Sequence, residues 1–204
     1  MLPASIDDPV QLLVEDRARA AECGDPMQGF ATLATVEGGQ PAARVVTLRR
    51  LTATQLLVSA NATSPKVRAL GDNPRCELLV YWVTLQRQYR VRGTARFVPA
   101  RAHADLYALS PWRSKTWDHV YEQIAQSTPA DRSDFVPRFR EVLATLQAHY
   151  EEPGQVPATP HAGYLQVHPD QIEVQALDLE ERLHDRRRFV RTTDDDWSEQ
   201  ALLP

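Results

Sequence analysis

Short apolar or alternating stretches, each bounded by turn residues, dominate this chain. Phe30 to Val36 reads as a strand, Glu37-Gly38-Gly39-Gln40-Pro41 as a turn, and Ala42 to Leu51 as the return strand of a hairpin. Gln55–Ala60, Cys76–Val83 and Tyr89–Val98 supply three more strands. The middle one carries the apolar run Leu78-Leu79-Val80-Tyr81-Trp82 and is entered past the Asn73-Pro74 break. Gly163–Val167 and Gln171–Ala176 are two short strands with a turn at His168-Pro169-Asp170 between them. Arg182–Arg191 and Trp197–Leu203 are expected as the last strands.

Helical spacing is rarer. Asp8-Pro9 opens a helix that Gly24 stops, with Asp8 as N-cap. Thr63 or Ser64 caps a short helix whose first residue is Pro65. Ala100–Leu109 is expected to be helical, Ser110 to Lys115 a break, and Asp134–Tyr150 the best helix, with Phe135, Phe139, Val142, Leu143 and Leu146 on one stripe. Seven or more strands joined mostly by turns predict a mainly β fold, an antiparallel barrel with peripheral helices, rather than βαβ units.

Charge sharpens this picture. The segment Arg44–Arg101 holds eleven of the 23 Lys and Arg but only two of the 27 acids, Asp72 and Glu77, in a chain of net charge −4. Arg90, Arg92 and Arg96 share one parity with Gln86 and Gln88, so a strand there has one cationic face. The face either meets an anion or is solvated surface. Ser64 and Lys66 flank a helix start, a natural anion site. In Arg182-Leu183-His184-Asp185-Arg186 a strand would set Arg182, His184 and Arg186 together, either around an anion or as surface neutralised by Asp178, Glu180 and Glu181.

The exclusions are plain. The 204 residues suit one domain. No apolar run approaches the roughly 20 residues of a membrane span, the N-terminus does not read as a secretory signal, and a pI near 5.9 disfavours nucleic acid. Cys23 and Cys76 form no metal or disulfide spacing and the six histidines are scattered, so no metal is expected and a reducing cytoplasm is the default. Glycine-rich phosphate loops and a Gly-x-Ser-x-Gly turn are absent.

Eight stretches together resemble one family: Asp8-Pro9, Arg44-Val45-Val46-Thr47-Leu48-Arg49, Ser64-Pro65-Lys66, Asn73-Pro74-Arg75, Thr84 to Gln88, Gln171-Ile172-Glu173, Arg182 to Arg186, and the ending, Trp197 with Leu202-Leu203-Pro204. The chain resembles the pyridoxamine 5′-phosphate oxidase family, FMN enzymes with a split β-barrel that work as homodimers. The resemblance implies one FMN-binding split-barrel domain over residues 1–204, with an N-terminal helical segment 1–28 and C-terminal strands 170–204 completing the substrate site. It implies FMN at the subunit interface, contacted by Arg44, Val45, Val46, Thr47, Leu48, Arg49, Ser59, Ala60, Lys66, Gln88 and Arg186, with Gln126 and Ser127 resembling a pair supplied by the second subunit. Arg182 and His184 would be catalytic. Arg49, Tyr107, Arg182, Leu183 and His184 would hold a small phosphorylated aromatic substrate.

The implied reaction is oxidation of pyridoxamine or pyridoxine 5′-phosphate to pyridoxal 5′-phosphate, with O2 as acceptor and H2O2 as product. Pro65, Pro111 and Gln175 depart from the family's usual arginine, arginine and tryptophan, and Arg49 from its lysine. Two alternatives therefore stand beside it: a related oxidase of another small aromatic, of phenazine type, and a non-catalytic binder of FMN or pyridoxal phosphate.

Overall fold

The structure is a computed structural model and describes residues 2–126, 128–129, 131–178, 184–193 and 196–203. Its strands are β1 Phe30–Glu37, β2 Gln40–Leu51, β3 Leu56–Asn61, β4 Arg75–Trp82, β5 Arg87–Pro99, β6 Ala162–Ala176, β7 Asp185–Arg191 and β8 Trp197–Ala201. Its α-helices are α1 Pro9–Glu22, α2 Pro65–Asp72, α3 Ala104–Ala108, α4 Trp112–Gln123 and α5 Arg132–His149. No helix is long and apolar enough to cross a membrane among the described residues.

Every strand pairing is antiparallel. The sheet order is β3-β2-β1-β4-β5-β6-β7-β8, and β3 also pairs with β6. That extra pairing closes six strands into a barrel and leaves β7 and β8 as an extension. β6 makes both possible through its length: residues 162–167 pair with β3 and residues 171–176 pair with β7, while β5 runs along the whole of it. The predicted antiparallel barrel is therefore correct.

The β1–β2 hairpin turns on Gly38 and Gly39, at φ +58° and +80°. Both positions demand the left-handed region, which glycine enters without steric cost. Alternation then buries Ala31 and Leu33 of β1 against Val46 and Leu48 of β2. Leu78, Trp82, Tyr89, Val91, Ile172 and Phe189 complete a core with essentially no exposure.

Helix α1 closes one end of the barrel. Asp8 caps it, accepting from Val10 N at 2.8 Å, and Gly24 follows it at φ +69°, as the sequence predicts. Its buried Asp16 accepts from Arg87 Nη1 at 2.9 Å and Tyr89 Oη at 2.5 Å. A carboxylate inside a barrel is tolerated only when paired in this way.

Three sequence expectations need correction. The two short strands around His168-Pro169-Asp170 are one strand, β6. The proline sits in a bulge, where the β5–β6 register shifts between Arg92 and Gly93. Gly93 makes this possible, since a Cβ there would lie 2.0 Å from the His168 carbonyl oxygen. Second, the break at Ser110–Lys115 is short, and α4 begins at Trp112; polar Arg113, Ser114 and Lys115 had masked its start. Third, His184 precedes β7 and is not on a strand. The stripe of α5 packs against α4 rather than the barrel, with Phe139 4.7 Å and Phe135 6.1 Å from the Trp117 ring.

Candidate functional site

A cavity of about 320 Å³ opens between the barrel wall and the helices that follow β5. β2 contributes Thr47 and Arg49, β3 Ser59, Ala60 and Asn61, and β6 Gly163 and Tyr164. The other wall is helical: Lys66 from α2, Tyr107 from α3, and Ser114, Trp117, Asp118 and Tyr121 from α4, with Ser110 and Gln126 beside them.

Arg49 reaches this space because β2 bulges there. Leu48 pairs with Val58 and Arg50 with Leu57, so Arg49 is the extra residue. A bulge re-aims the side chain it displaces. The guanidinium donates from Nη2 to Ser110 Oγ at 3.1 Å and to the Leu106 carbonyl at 3.4 Å, while its buried Nε has no partner. Arg50, one residue on, turns to Asp105 instead.

Lys66 sits in the first turn of α2, behind the N-cap Ser64 and Pro65. Burial, and then the neighbouring Arg44, lower the pKa of its ammonium. Ser64 is fully buried and its hydroxyl has no partner. Two neighbouring cations and an orphan hydroxyl at a helix N-terminus suit an anion. The phosphate of a bound nucleotide-like group fits there.

Asp118 lies across the cavity and was not foreseen. Tyr107 Oη donates to its Oδ2 at 3.2 Å. Burial pushes its carboxyl up to about 6, although the Tyr107 hydrogen bond and the neighbouring Asn61 carboxamide pull the other way. Behind the Tyr107 ring, 4.6 Å from its centroid, stands the ammonium of the buried Lys115, held by the Pro153 and Val156 carbonyls. The buried Tyr164 hydroxyl has no partner and feels both Arg49 and Asp118. Asn61, Asp118, Trp117 and Tyr121 carried no motif. Only the missed start of α4 would have signalled them.

The expected residues divide into three groups. Thr47, Arg49, Ser59, Ala60, Lys66, Tyr107 and Gln126 line the cavity together. Val46 and Leu48 point into the barrel core, Val45 is exposed, and Arg44 is held in its own hairpin by Glu37 and Thr35. Gln88 and Arg186 lie elsewhere, in one cross-strand row with Gln175 on β5, β6 and β7. Arg186 pairs there with the buried Glu173, Nη2 to Oε1 at 2.8 Å. His184 accepts from Asp178 N at 3.1 Å. Arg182, Leu183 and Ser127 lie outside the described residues.

The cationic face of β5 is largely neutralised at home. Arg90 and Arg92 share Glu77, Arg90 also lies 3.6 Å from Glu173, and Arg75 pairs with Asp170. Of the basic residues of this segment, Arg49 and Lys66 line the cavity, while Arg44, Arg75, Arg90 and Arg92 are paired with carboxylates.

The family model described as "Pyridoxamine 5'-phosphate oxidase" matches residues 21–175. The chain is 33% identical over 202 residues to a pyridoxine/pyridoxamine 5′-phosphate oxidase of Hyphomonas neptunium, covering 97% of this chain and 88% of the relative. It is 35% identical over 204 residues to the one of Myxococcus xanthus, covering 97% and 92%. Among solved structures, PhzG from Burkholderia lata in complex with tetrahydrophenazine-1-carboxylic acid superposes with a TM-score of 0.84 at 21% identity, over 100% and 98% of the two chains. A pyridoxamine 5′-phosphate oxidase-related, FMN binding protein from Nostoc punctiforme superposes at 0.75 and 17% identity, over 98% and 100%. At those identities the two structures speak for the split-barrel fold. By sequence and by fold, the chain belongs to the pyridoxamine 5′-phosphate oxidase family of FMN-dependent oxidoreductases.

Proposed function

We propose that this chain is an FMN-dependent oxidase of a small aromatic substrate, with molecular oxygen as acceptor and hydrogen peroxide as product. The observation that carries the reading is Lys66, with Arg44 near enough to lower its pKa and the unpartnered Ser64 hydroxyl at the same helix start, lining a cavity that Arg49 also enters. Bound FMN would supply the redox chemistry, a two-electron oxidation of the substrate with oxygen as the final acceptor. The protein's share is position and charge. Lys66 and Arg44 take the cofactor phosphate, while Trp117, Tyr121 and Tyr164 wall a space for a flat ring.

The site is completed in a homodimer. Gln88 and Arg186 sit in a row that does not line the cavity, so a second copy brings them to the cofactor. An exposed apolar set on the outer face, Phe30, Val45, Leu79 and Tyr81, suits such a contact.

Two substrate readings follow. In the first the substrate is pyridoxamine or pyridoxine 5′-phosphate, as in the relatives' names, with its phosphate on Arg49 and Tyr107. In the second it is a small aromatic without that phosphate. Asp118 favours the second, because Tyr107 already donates its only proton to that carboxylate.

Anaerobic mixing tests the reading. FMN-loaded protein should lose its visible flavin band with at least one donor from a panel of pyridoxamine 5′-phosphate, pyridoxamine and reduced phenazine carboxylates. Peroxide should appear when air returns. A spectrum unchanged by every donor at saturation would sink the oxidase and favour a non-catalytic FMN binder.

A further inference from the structure

We infer that Asp118 is a specificity-determining residue of the cavity, making with Tyr107 an acceptor wall that selects an amine or hydroxyl substituent on an aromatic ligand over a phosphate dianion. The inference rests on the reading of this cavity as the substrate site. It deepens that reading by assigning the substrate's chemical class.

The argument starts from hydrogen-bond capacity. Tyr107 Oη has one proton and gives it to Asp118 Oδ2 at 3.2 Å, so towards a ligand the phenol offers only lone pairs. Asn61 commits its Oδ1 to the Thr63 amide at 3.0 Å and the Thr63 hydroxyl at 2.7 Å, which leaves only its Nδ2, a buried donor beside Asp118, outside the acceptor pair. An ionised carboxylate accepts at about four lone-pair sites and donates nothing. This wall therefore satisfies a donor.

A phosphate offers the wrong partner on two counts: it brings no proton to share when fully ionised, and its charge has the sign of Asp118. Like charges juxtaposed in a desolvated site are a standard device for rejecting the wrong ligand.

The charges facing Asp118 do not cancel it. His119 and Glu122 come from its own helix, and Lys115, also on α4, is held by two backbone carbonyls. Tyr107 faces it from α3, Asn61 from β3, and Tyr164 from β6. Arg49, tied to Ser110, also lines the cavity and acts on the Tyr164 hydroxyl together with Asp118. The cavity thus offers a cation at Arg49 for an acceptor or a single acid, and an acceptor pair at Asp118 and Tyr107 for a donor. Trp117 and Tyr121, stacked at 5.6 Å and 20°, give the same cavity an aromatic flank.

The test is isothermal titration at pH 8 with two named probes, pyridoxamine and pyridoxamine 5′-phosphate, on the FMN-loaded protein. Wild type should bind pyridoxamine the more tightly. Asp118→Asn should shift the ratio of the two dissociation constants towards the phosphate by about tenfold or more, since like-charge contacts cost at least that much. Asp118→Glu should keep the wild-type order. Tyr107→Phe, which frees the carboxylate, should strengthen the preference for pyridoxamine and serves if Asp118→Asn does not fold.

Wild type preferring the phosphate overturns the inference, as does an Asp118→Asn ratio that stays within about threefold of wild type. A merely structural Asp118 would weaken both probes alike, leave the ratio in place, and so also overturn it. Flavin content is read separately by absorbance. A chain that takes up no FMN defeats the oxidase reading, while titration of the FMN-free chain still decides which probe the cavity prefers.

Discussion

Arg49 Nη2 meets Ser110 Oγ at 3.1 Å across 61 residues of chain, tying the bulge of β2 to the loop between α3 and α4. The same group bonds the Leu106 carbonyl and keeps one N–H spare. Arg49→Ala should therefore weaken binding of any anionic probe, inorganic phosphate included, by about 1.5–3 kcal/mol, the range for charged hydrogen bonds. FMN retention should be little changed. Arg49→Lys should restore part of the affinity, because a point charge cannot hold two acceptors in a fork. Titration calorimetry with flavin absorbance read alongside separates the two effects. Equal loss of flavin and probe would contradict the placement.

Asp16→Ala should cost about 3–5 kcal/mol, the usual penalty for removing one partner of a buried ion pair. Arg87 would keep a buried guanidinium and Tyr89 a buried hydroxyl, both now facing a void at the α1 end of the barrel. Urea unfolding followed by tryptophan fluorescence measures this. A loss under about 1 kcal/mol would mean that the pairing does not lock α1 to β5.

The barrel was legible because alternation and turn chemistry agree along the first half of the chain. Gly38-Gly39 and Asp8-Pro9 are local signals, and local signals survive in a sequence. The bulges at Arg49 and at Gly93 were not, since a bulge is a relation between two strands and only one of them is read at a time. Asp118 was hidden for a similar reason. A single acid on a helix looks like solvated surface until Tyr107 from another helix is placed against it. The cationic face of β5 misled for the converse reason, because Glu77 and Glu173 sit on its two neighbours in the sheet rather than next to it in sequence.

Gly93→Ala should destabilise the barrel by about 1–3 kcal/mol, the range for overpacking, or prevent folding. The added Cβ would meet the His168 carbonyl oxygen at 2.0 Å, and both partners are backbone, so neither can rotate away. Thermal melts compared with Gly71→Ala, where nothing lies within 4 Å, test this directly. Similar melting temperatures for the two variants would remove the bulge's claim on glycine.

Arg186→Ala should reduce FMN retention after dialysis if a second copy presents this row to the cofactor. The change also leaves buried Glu173 with Arg90 alone, at 3.6 Å, so some stability, on the order of 1–3 kcal/mol, should go with it. Glu173→Gln together with Arg186→Lys separates the roles: it keeps the positive charge while relieving the unpaired acid. That double variant should hold flavin better than Arg186→Ala. Full flavin occupancy in Arg186→Ala would contradict the assignment.

Asp118 sets a pH dependence whose sign can be worked out. Its folded pKa stands at about 6, above its unfolded value near 4. Below the unfolded value both states hold the proton and the group contributes nothing. As pH rises from about 4 to about 6 the unfolded chain releases its proton first, so ν of the folded state exceeds that of the unfolded state and stability falls. Above about 6 the full penalty is in place. Asp118→Asn removes it, so the variant should gain on the order of 1–2 kcal/mol over wild type at pH 8 and nothing at pH 3.5, after a discount for the group's partial exposure. Denaturant midpoints at the two pH values supply the check. A gain of equal size at both would mean that repacking rather than charge explains it, and a loss at pH 8 would show that the ionised carboxylate is stabilised by its partners after all.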